Sequence, residues 1–348
     1  MTRAALRGHQ GAEVARTLVT GATGFIGRHV VRELASLGHE VRALVRPTSN
    51  LSVFDGLEVR TVLGDILDPE SYREDVSQVD HVIHLASLLK MPWSREFATV
   101  HIEGTSRLAA ACAAAHAPPT LLVVSSLAAL GPSHSVDAPG EARPATPVSA
   151  YGRAKREAEL RAASFCERLP VTVVRPPAVY GPWDRTLLQL FRSVGRGLHL
   201  VPGNADLQMS LVQVEDLAAG IVAAALRGER IESKSTEPGS GVYHLAGEER
   251  PTYEALGSLV AAAMDVPSPR LVKIPKLVAR SAATISEAAA RVRKRPTVFN
   301  RDKILEAHSG HWICSSDKAR QDLGWHPLRD LQSRLKETAL WYRERGWL

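Results

Sequence analysis

Short apolar segments alternate with amphipathic helical segments along the first half of the chain. Residues 17–20 form the first apolar segment, and a glycine-rich turn follows it. Apolar residues then recur at the spacing of one helix face, at Ile26, Val30, Leu34 and Leu37. Further strands are predicted at 40–45, 57–63, 79–85, 120–124 and 171–174.

This alternation predicts a parallel sheet that is covered on both faces. Helices are predicted between the strands over 97–115 and 151–168. Because parallel strands are joined by right-handed helical crossovers, the order indicates a doubly wound α/β fold. Beyond residue 180 the pattern loosens, and we predict a strand at 242–245 and helices at 185–196, 215–227, 252–264, 276–293 and 329–345.

Composition narrows the class of protein. The 348 residues are 45% hydrophobic and 23% charged, which is typical of a folded chain rather than a disordered one. No run of about 18 uncharged apolar residues occurs, so the sequence predicts no membrane-spanning helix. The wide spacing of Cys112, Cys166 and Cys314 indicates neither a metal site nor a disulfide framework, which fits a reducing, cytoplasmic location.

The chain is basic, with a net charge of +6 and a pI of about 9.4. Such a balance is compatible with nucleic acid, an anionic membrane surface or an anionic cofactor as a partner. The 43 basic residues are spread along the chain, apart from one group formed by Arg291, Arg293, Lys294 and Arg295. We therefore do not expect nucleic-acid binding.

Three glycines, Gly21, Gly24 and Gly27, lie between the first predicted strand and the first helix. This is the context of a dinucleotide fingerprint, in which glycine lets the backbone approach a pyrophosphate and the helix N-terminus offers free N–H donors. The alternative is a tight strand-to-helix turn that binds no ligand.

The end of the second strand indicates which dinucleotide would bind. An acidic residue there binds the ribose 2′-hydroxyl of NAD, whereas an arginine favours the 2′-phosphate of NADP. Arg46 stands 19 positions after Gly27, and neither Asp nor Glu occurs between Val41 and Asn50. Arg42 could assist it. The alternative for Arg46 is a solvated surface side chain, and Asp65, which could touch the adenine, could equally be a helix cap.

A Tyr-x-x-x-Lys pair, Tyr151 and Lys155, lies on the helix predicted at 151–168. Residues four apart share one helix face, and a neighbouring ammonium favours the phenolate and lowers the pKa of the tyrosine. Such a tyrosine could transfer a proton near neutral pH. Ser126, which ends the preceding strand, could hold a substrate oxygen. The alternative is a surface helix with Ser126 as a capping residue.

Taken in order over residues 17–345, these motifs resemble the extended short-chain dehydrogenase/reductase superfamily, and they are closest to its 3β-hydroxysteroid dehydrogenase and dihydroflavonol reductase-like branch. The resemblance rests on residues 20–27, 64–65, 84–86, 125–126, 151–155, 175–176, 180–182 and 214–218. It implies a Rossmann sheet with a smaller C-terminal substrate-binding lobe. We expect a flexible leader over 1–16, a dinucleotide-binding domain over 17–180 that also includes parts of 211–247, and the lobe mainly over 181–348.

The resemblance also implies roles for particular residues. Tyr151 would be the acid/base, Lys155 would orient it and the nicotinamide ribose, and Ser126 would polarise the substrate carbonyl; Asp216 would brace the small lobe. No metal is implied. The cofactor-binding residues would be Gly21, Thr23, Gly24, Phe25, Ile26, Gly27, Arg46, Asp65, Ile66, Leu85, Ala86, Ser87, Tyr151, Lys155, Pro176, Ala178 and Val179.

One position departs from the family pattern. His101 stands where relatives usually have an asparagine linked to a proton relay, so it could substitute in that relay or be a core histidine without a role.

The substrate class is indicated less directly. Sugar-nucleotide enzymes usually place an arginine in the segment that is 205–211 here, and this chain has none there. The segments 87–93 and 187–191 are largely apolar and could line a site for a lipophilic ketone or alcohol, or could simply pack the lobe.

We therefore expect an NADP(H)-dependent oxidoreductase that acts on a carbonyl or secondary alcohol of a lipophilic molecule, steroid-like, flavonoid-like or ketoacyl-like. NAD(H) is the less favoured cofactor. The alternatives are an NAD-dependent sugar-nucleotide epimerase or dehydratase and a non-catalytic NADP(H)-sensing protein. By analogy with relatives, the helices at 97–115 and 151–168 could form a homodimer interface. The helix at 275–295 could lie on an anionic membrane surface or pack on its own domain.

Overall fold

In a computed structural model of the chain, the structure describes residues 14–87, 95–232, 238–293 and 300–348. Its strands, numbered along the chain, are β1 Arg16–Thr20, β2 Glu40–Val45, β3 Val59–Leu63, β4 His81–His84, β5 Thr120–Val124, β6 Val171–Arg175, β7 Ala178–Tyr180, β8 Leu198–Val201, β9 Leu211–Gln213, β10 Val242–His244 and β11 Arg270–Lys273.

The helices lie between and after these strands. They are α1 Phe25–Ser36, α2 Arg73–Val76, α3 Arg95–Ala98, α4 Gly104–Ala113, α5 Leu127–Leu130, α6 Ala150–Ala163, α7 Leu188–Gly195, α8 Val214–Arg227, α9 Tyr253–Ala263, α10 Lys276–Arg293, α11 Arg301–Glu306, α12 Asp317–Leu323 and α13 Leu331–Glu344. A π-helical turn, Thr99–Glu103, joins α3 to α4, and short 3₁₀ turns occur at Leu51–Phe54 and Pro69–Ser71.

The central sheet confirms the predicted fold class. Within the described residues it has seven strands in the order β10-β6-β5-β4-β1-β2-β3, and every pairing is parallel. The strand order reverses at β1, which pairs with β2 on one side and β4 on the other. In sheets of this type, ligands bind in the crevice outside the carboxyl ends of the strands at such a switch point.

Two hydrophobic cores cover the two faces of this sheet. On one face α1 and α8 contribute Val30, Leu34 and Ile221, which are fully buried. On the other face α4 contributes Leu108 and Cys112, which are equally buried. Burial of each such large apolar side chain stabilises the fold by about 1.5–3 kcal/mol, so the helices are held on the sheet by packing more than by propensity.

A third core lies in the second half of the chain, where α7, α9 and α13 pack together. Leu188 and Phe191, from a segment that could have lined a substrate site, are buried there against Tyr342. They fill the core instead. The other apolar segment named above, 87–93, lies outside the described residues except for Ser87.

A buried ion pair joins α13 to α8, which is one of the helices that pack on the central sheet. The carboxylate of Asp216 accepts hydrogen bonds from Nε of Arg334 at 2.9 Å and from its Nη2, and both side chains are buried. The ion pair ties α13 to α8, and the bracing of a separate lobe by Asp216 stays a prediction.

Several predicted boundaries were wrong. β1 begins at Arg16, which the expected leader included, because Arg16 pairs with Asp80 at 2.8 Å; residues 1–13 lie outside the described part. The helix predicted at 151–168 ends at Ala163. The three- and four-residue strands β7, β8, β9 and β11 and the short helices α11 and α12 were missed, because segments of that length show no clear periodicity.

No helix among the described residues combines the length and the hydrophobicity needed to cross a membrane. The three cysteines are free thiols, and Cys112 and Cys314 are buried.

Candidate active site

The glycine turn after β1 packs tightly on the segment that follows β4. Gly21 has a φ of +68°, and a Cβ at this position would come within 2.7 Å of the backbone of Leu85 and Ala86. Thr20 adds a hydrogen bond, since its Oγ1 accepts from the Ala86 amide at 3.2 Å. The turn and the 85–86 segment therefore meet at the switch point with no side chain between them.

The N-terminus of α1 is open to an anion. Its N-cap is Gly24, which has no side chain to cap the helix, and the first turn contains no acidic residue. The first N–H groups of a helix have no intrahelical partner, and the helix dipole favours negative charge there. Within the described residues, the amides of Phe25 and Ile26 thus remain as backbone donors at the place where the fingerprint predicts a pyrophosphate, whereas the Gly24 amide donates to the Gly21 carbonyl at 3.0 Å.

Arg28 adds positive charge beside this turn, and the sequence reasoning missed it. Its guanidinium donates to the carbonyls of Thr23 and Gly24 at 3.3 and 3.4 Å and lies 4.5 Å from the ring centre of Trp183. The signal that could have identified it is an arginine directly after the third glycine of the fingerprint.

Arg46, which follows β2, and Asp65, which follows β3, are the residues predicted to contact the adenosine end of the cofactor. Arg46 follows the last residue of β2 and is exposed, as a residue that meets a 2′-phosphate requires. Asp65 is exposed as well, but one carboxylate oxygen accepts from the Leu67 amide at 2.9 Å, so it caps this turn. Ile66 is buried in the core beside it.

Arg42 does not assist Arg46, contrary to the expectation. Its guanidinium is buried and donates to Glu40, Asp75 and Gln78 at 3.1, 3.2 and 3.0 Å. These partners satisfy the charge inside the fold, so Arg42 has a structural role.

A buried chain of hydrogen bonds runs from β1 to the π-helical turn. Thr20 Oγ1 lies 2.7 Å from Nδ1 of His84, Nε2 of His84 lies 2.9 Å from Thr105 Oγ1, and Thr105 donates to the His101 carbonyl at 2.7 Å. Burial lowers the pKa of His84 to about 3, so this imidazole is neutral. Because Thr105 donates onward, Nε2 of His84 carries the hydrogen and Nδ1 accepts from Thr20.

The structure brings Ser126 and Tyr151 together. The side chain of Ser126 caps α5 by accepting from the Ala128 amide at 3.2 Å, and it also hydrogen-bonds with the Tyr151 hydroxyl. The capping role of Ser126 is therefore confirmed, and its role toward a substrate oxygen stays a prediction. Gly152 makes the contact possible, because a Cβ there would lie 2.3 Å from the Ala128 carbonyl oxygen and would push α6 away from α5.

The pKa of Tyr151 is raised, whereas the sequence predicted that the neighbouring Lys155 would lower it. Burial raises the pKa of Tyr151 to about 12, and the hydrogen bond with Ser126 offsets only part of that rise. Burial also lowers the pKa of Lys155 to about 8. The Lys155 ammonium does not lower the pKa of the Tyr151 phenol, because its Nζ donates to the Val124 carbonyl at 3.1 Å. Desolvation outweighs the charge–charge effect that the four-residue spacing suggested.

A buried cluster around Glu159, one turn beyond Lys155 on α6, fixes this helix against the sheet. Glu159 accepts from Ser125 at 2.5 Å, from two atoms of Arg175 at 2.8 and 2.7 Å and from Arg156 at 2.8 Å. Burial alone would raise the pKa of Glu159, but the hydrogen bonds and charge of Arg175 lower it overall. The sequence reasoning named Ser125 and Arg175 only as motif positions and did not identify this cluster.

His101 lies beside the tyrosine. It is buried in the π-helical turn, its ring centre is 6.1 Å from that of Tyr151, and its Nε2 lies 3.4 Å from Ser87 Oγ. π-helical turns inside α-helices are frequently found at functional sites. A relay role remains a prediction, but His101 is in a place where it could serve.

The comparisons with known proteins can now be set against this geometry. The model of the NAD dependent epimerase/dehydratase family matches residues 17–237. The chain belongs to this family. It is therefore an NAD(P)-dependent oxidoreductase of the extended short-chain dehydrogenase/reductase superfamily, as the resemblance implied.

Curated relatives and a solved structure match almost the whole length of this family member. Ceramide reductase of Caulobacter vibrioides is 32% identical over 95% of both chains. Sterol demethylase protein B of Methylococcus capsulatus is 30% identical over 95% of this chain and 99% of its own. The crystal structure of gox2253 is 28% identical with a TM-score of 0.76, and the match covers 96% of this chain and 99% of that one.

The remaining side of the site in this epimerase/dehydratase-family chain comes from α11, which the sequence analysis did not predict. Asp302 accepts from the amide of Ala150 at 2.9 Å, at the start of α6. Nζ of Lys303 lies 5.6 Å from the ring centre of Tyr151. The short helix therefore lies beside the tyrosine.

The segment after β6 completes the cofactor side that was predicted. The carbonyl of Pro176 accepts from the Leu127 amide at 2.8 Å, which ties it to the start of α5. Ala178 and Val179 belong to β7, where Ala178 is exposed and Val179 partly buried. The described residues thus fit a dinucleotide: an uncapped helix N-terminus, a free-standing arginine after β2 and a buried lysine lie along one edge of the sheet.

The pKa of Lys155 predicts a specific pH dependence of stability. In the unfolded chain the lysine titrates near 10.5 and in the folded chain near 8, so between these values the unfolded state binds more protons. Unfolding therefore becomes harder as pH rises through this window. We expect Lys155→Met to be more stable than the unchanged protein at pH 7, and the difference to shrink by roughly 3 kcal/mol by pH 10.5.

Urea unfolding at a series of pH values measures that difference. The exposed Lys336→Met variant is the control and should show no such trend. A constant gap between Lys155→Met and the unchanged protein from pH 7 to 10.5 would contradict the burial of a charged lysine.

Proposed function

We propose that this protein is an NADP(H)-dependent reductase of a ketone on a lipophilic small molecule, with the reverse alcohol oxidation also open to it. The observation that supports this proposal best is the hydrogen bond between Ser126 and a tyrosine that keeps its proton at neutral pH. A protonated phenol beside a hydroxyl donor suits the moment when a carbonyl oxygen gains negative charge.

Each residue has a distinct task in this proposal. The nicotinamide, when bound, supplies the hydride to the carbonyl carbon. Ser126 donates a hydrogen bond to the carbonyl oxygen, and Tyr151 transfers its phenolic proton to that oxygen as the C–O group becomes an alcohol. Lys155 would orient Tyr151 and hold the nicotinamide ribose, as the resemblance implies. The low pKa of His84 keeps the imidazole behind the site neutral.

The preference for NADP(H) over NAD(H) rests on Arg46. Arg46 is exposed at the carboxyl end of β2. Arg42, four residues earlier on the same strand, is already neutralised by Glu40 and Asp75. A guanidinium with free donors can bind a phosphate with two charge-assisted hydrogen bonds.

The lipophilic substrate is supported by the relatives. They carry the names ceramide reductase, sterol demethylase protein B and, at 24% identity over 95% of this chain, 3-beta-hydroxysteroid dehydrogenase of Mycolicibacterium neoaurum. A steroid-like ketone or another lipid ketone fits these names, and the name of a further relative, the putative dihydroflavonol 4-reductase of Synechocystis sp., fits a flavonoid-like one.

The sugar-nucleotide alternative has its own support. UDP-glucuronate 4-epimerase 3 of Arabidopsis thaliana is 27% identical over 97% of this chain. Against it, segment 205–211 lacks the arginine expected for a diphosphate, and Ala205 and Met209 are buried. A non-catalytic sensor would not need the Ser126–Tyr151 contact. A homodimer, a cytoplasmic location and a domain division at residue 180 stay predictions.

The exposed surface of α10 supports an anionic membrane surface as a further partner. This helix exposes Leu277, Val278 and Ile285 to 76%, 56% and 70%, whereas its buried apolar stripe contains alanines such as Ala279 and Ala283. Its exposed charged side chains in the described part are all basic, at Lys276, Arg280 and Arg293. Large apolar side chains facing outward among basic ones fit an anionic lipid surface.

Replacing the reacting hydroxyl tests the chemistry. We expect Tyr151→Phe to lose at least about a hundredfold in turnover, because general acid catalysis contributes 10²–10⁴-fold. NADPH affinity, measured by cofactor fluorescence, should change little. Turnover equal to that of the unchanged protein would remove Tyr151 from the reaction.

Reversing the charge at the end of β2 tests the cofactor. We expect Arg46→Asp to weaken NADPH binding by about tenfold or more, because only NADPH carries the 2′-phosphate. NADH binding should stay unchanged or become tighter, since an acidic residue at this position can bind the ribose 2′-hydroxyl. Arg60→Asp, an exposed arginine on β3, is the control. Equal losses for the two cofactors in Arg46→Asp would refute the proposed role.

Vesicle binding tests the surface of α10. We expect the protein to sediment with phosphatidylglycerol vesicles and not with phosphatidylcholine vesicles, and Leu277→Gln/Ile285→Gln to abolish sedimentation. Leu160→Gln/Leu340→Gln replaces two leucines on other helices that are 47% and 48% exposed and should behave as the unchanged protein. Self-association that the first variant removes, without any vesicle binding, would show that a second copy covers this face instead.

A further inference from the structure

Glu306, at the end of α11, is a buried carboxylate that the reaction described above does not use. It is only 9% exposed, and its Oε2 accepts from Lys303 Nζ at 2.6 Å. Its other oxygen, Oε1, is buried and has no hydrogen-bond partner within the described residues. An unpaired buried carboxylate oxygen is costly, so a fold retains it where something else completes the hydrogen bond.

The position of Glu306 points to the substrate as that missing partner. Lys303 Nζ is 5.6 Å from the centre of the Tyr151 ring and 2.6 Å from the carboxylate, which places Glu306 within about 8 Å of the reacting tyrosine. Its negative charge contributes to the raised pKa of Tyr151 and also to that of Tyr253, at the start of α9. Glu306 therefore lies close to both tyrosines.

Charge decides what kind of group would fit Oε1. Lys303 already neutralises the carboxylate, so a second cation is not required. A fully ionised phosphate has only acceptor oxygens, so it cannot donate a hydrogen bond to Oε1. A neutral donor, an amide N–H or a hydroxyl, would satisfy the free oxygen without adding charge.

We propose that Glu306 determines substrate specificity by accepting a hydrogen bond from a neutral N–H or O–H donor that the substrate carries a few bonds from its reacting carbonyl. This inference rests on the proposed ketone reduction and narrows it to lipophilic ketones with such a donor. Lys303 is a positioning residue here, since it holds the carboxylate with Oε2 engaged and Oε1 free.

Binding of two matched ketones tests the proposal without turnover. The ligands are N-octyl-3-oxooctanamide, which has an amide N–H, and its N-methyl derivative, which has none. Both are titrated into Tyr151→Phe loaded with NADPH, and cofactor fluorescence reports binding. A hydrogen bond to a charged group predicts that the N–H ligand binds about 10- to 100-fold more tightly.

Variants at Glu306 then locate the source of that preference. Glu306→Gln keeps the shape and an accepting oxygen and should reduce the preference, whereas Glu306→Leu should bring the ratio close to one. Glu344→Gln, an exposed glutamate at the end of α13, should leave the ratio unchanged.

The outcomes separate the two proposals. Equal binding of the two ligands, binding of neither, or a preference that survives Glu306→Leu overturns the role of Glu306. With Tyr151 intact, failure to reduce either ketone counts against the reductase proposal, while the binding ratio still decides the role of Glu306.

Discussion

The rest of the site depends on the hydrogen bonds and the ion pair that the buried carboxylate of Glu159 makes with Ser125 and Arg175. It ties α6 to the ends of two neighbouring strands, through Ser125 after β5 and Arg175 at the end of β6. Removing one partner of such a buried pair leaves an uncompensated charge and costs about 3–5 kcal/mol. Because Tyr151 and Lys155 lie on the same helix, this cluster sets where the phenol and the ammonium stand relative to the sheet.

Desolvation then sets the chemistry of the site. A tyrosine that keeps its proton and a lysine whose pKa lies below its ordinary value are both consequences of burial. In the proposed reduction, this protonated phenol is the donor to the substrate oxygen. The same burial keeps His84 neutral, so the hydrogen-bond chain behind the site carries no net charge.

The sequence predicted the fold where its signals were periodic or spaced by fixed geometry. Strand β2 was predicted with the bounds that the structure has, and the glycine turn and the Tyr-x-x-x-Lys pair lie at the predicted edge of the sheet. What could not be predicted depends on tertiary contacts. The burial of Arg42, the pKa order of Tyr151 and Lys155, and the approach of α11 to the tyrosine all arise from segments that are distant in the sequence.

The central claim is that hydride passes from NADPH to a ketone carbon while Tyr151 supplies the proton. The most direct test is to incubate the protein with a long-chain ketone and NADPH deuterated at C4 of the nicotinamide, and to analyse the alcohol by mass spectrometry. The account predicts one deuterium on the carbinol carbon, and at least about a hundredfold less of this alcohol from the Tyr151→Phe variant. An alcohol without deuterium, or no alcohol from protein that retains a non-exchangeable NAD, would contradict it.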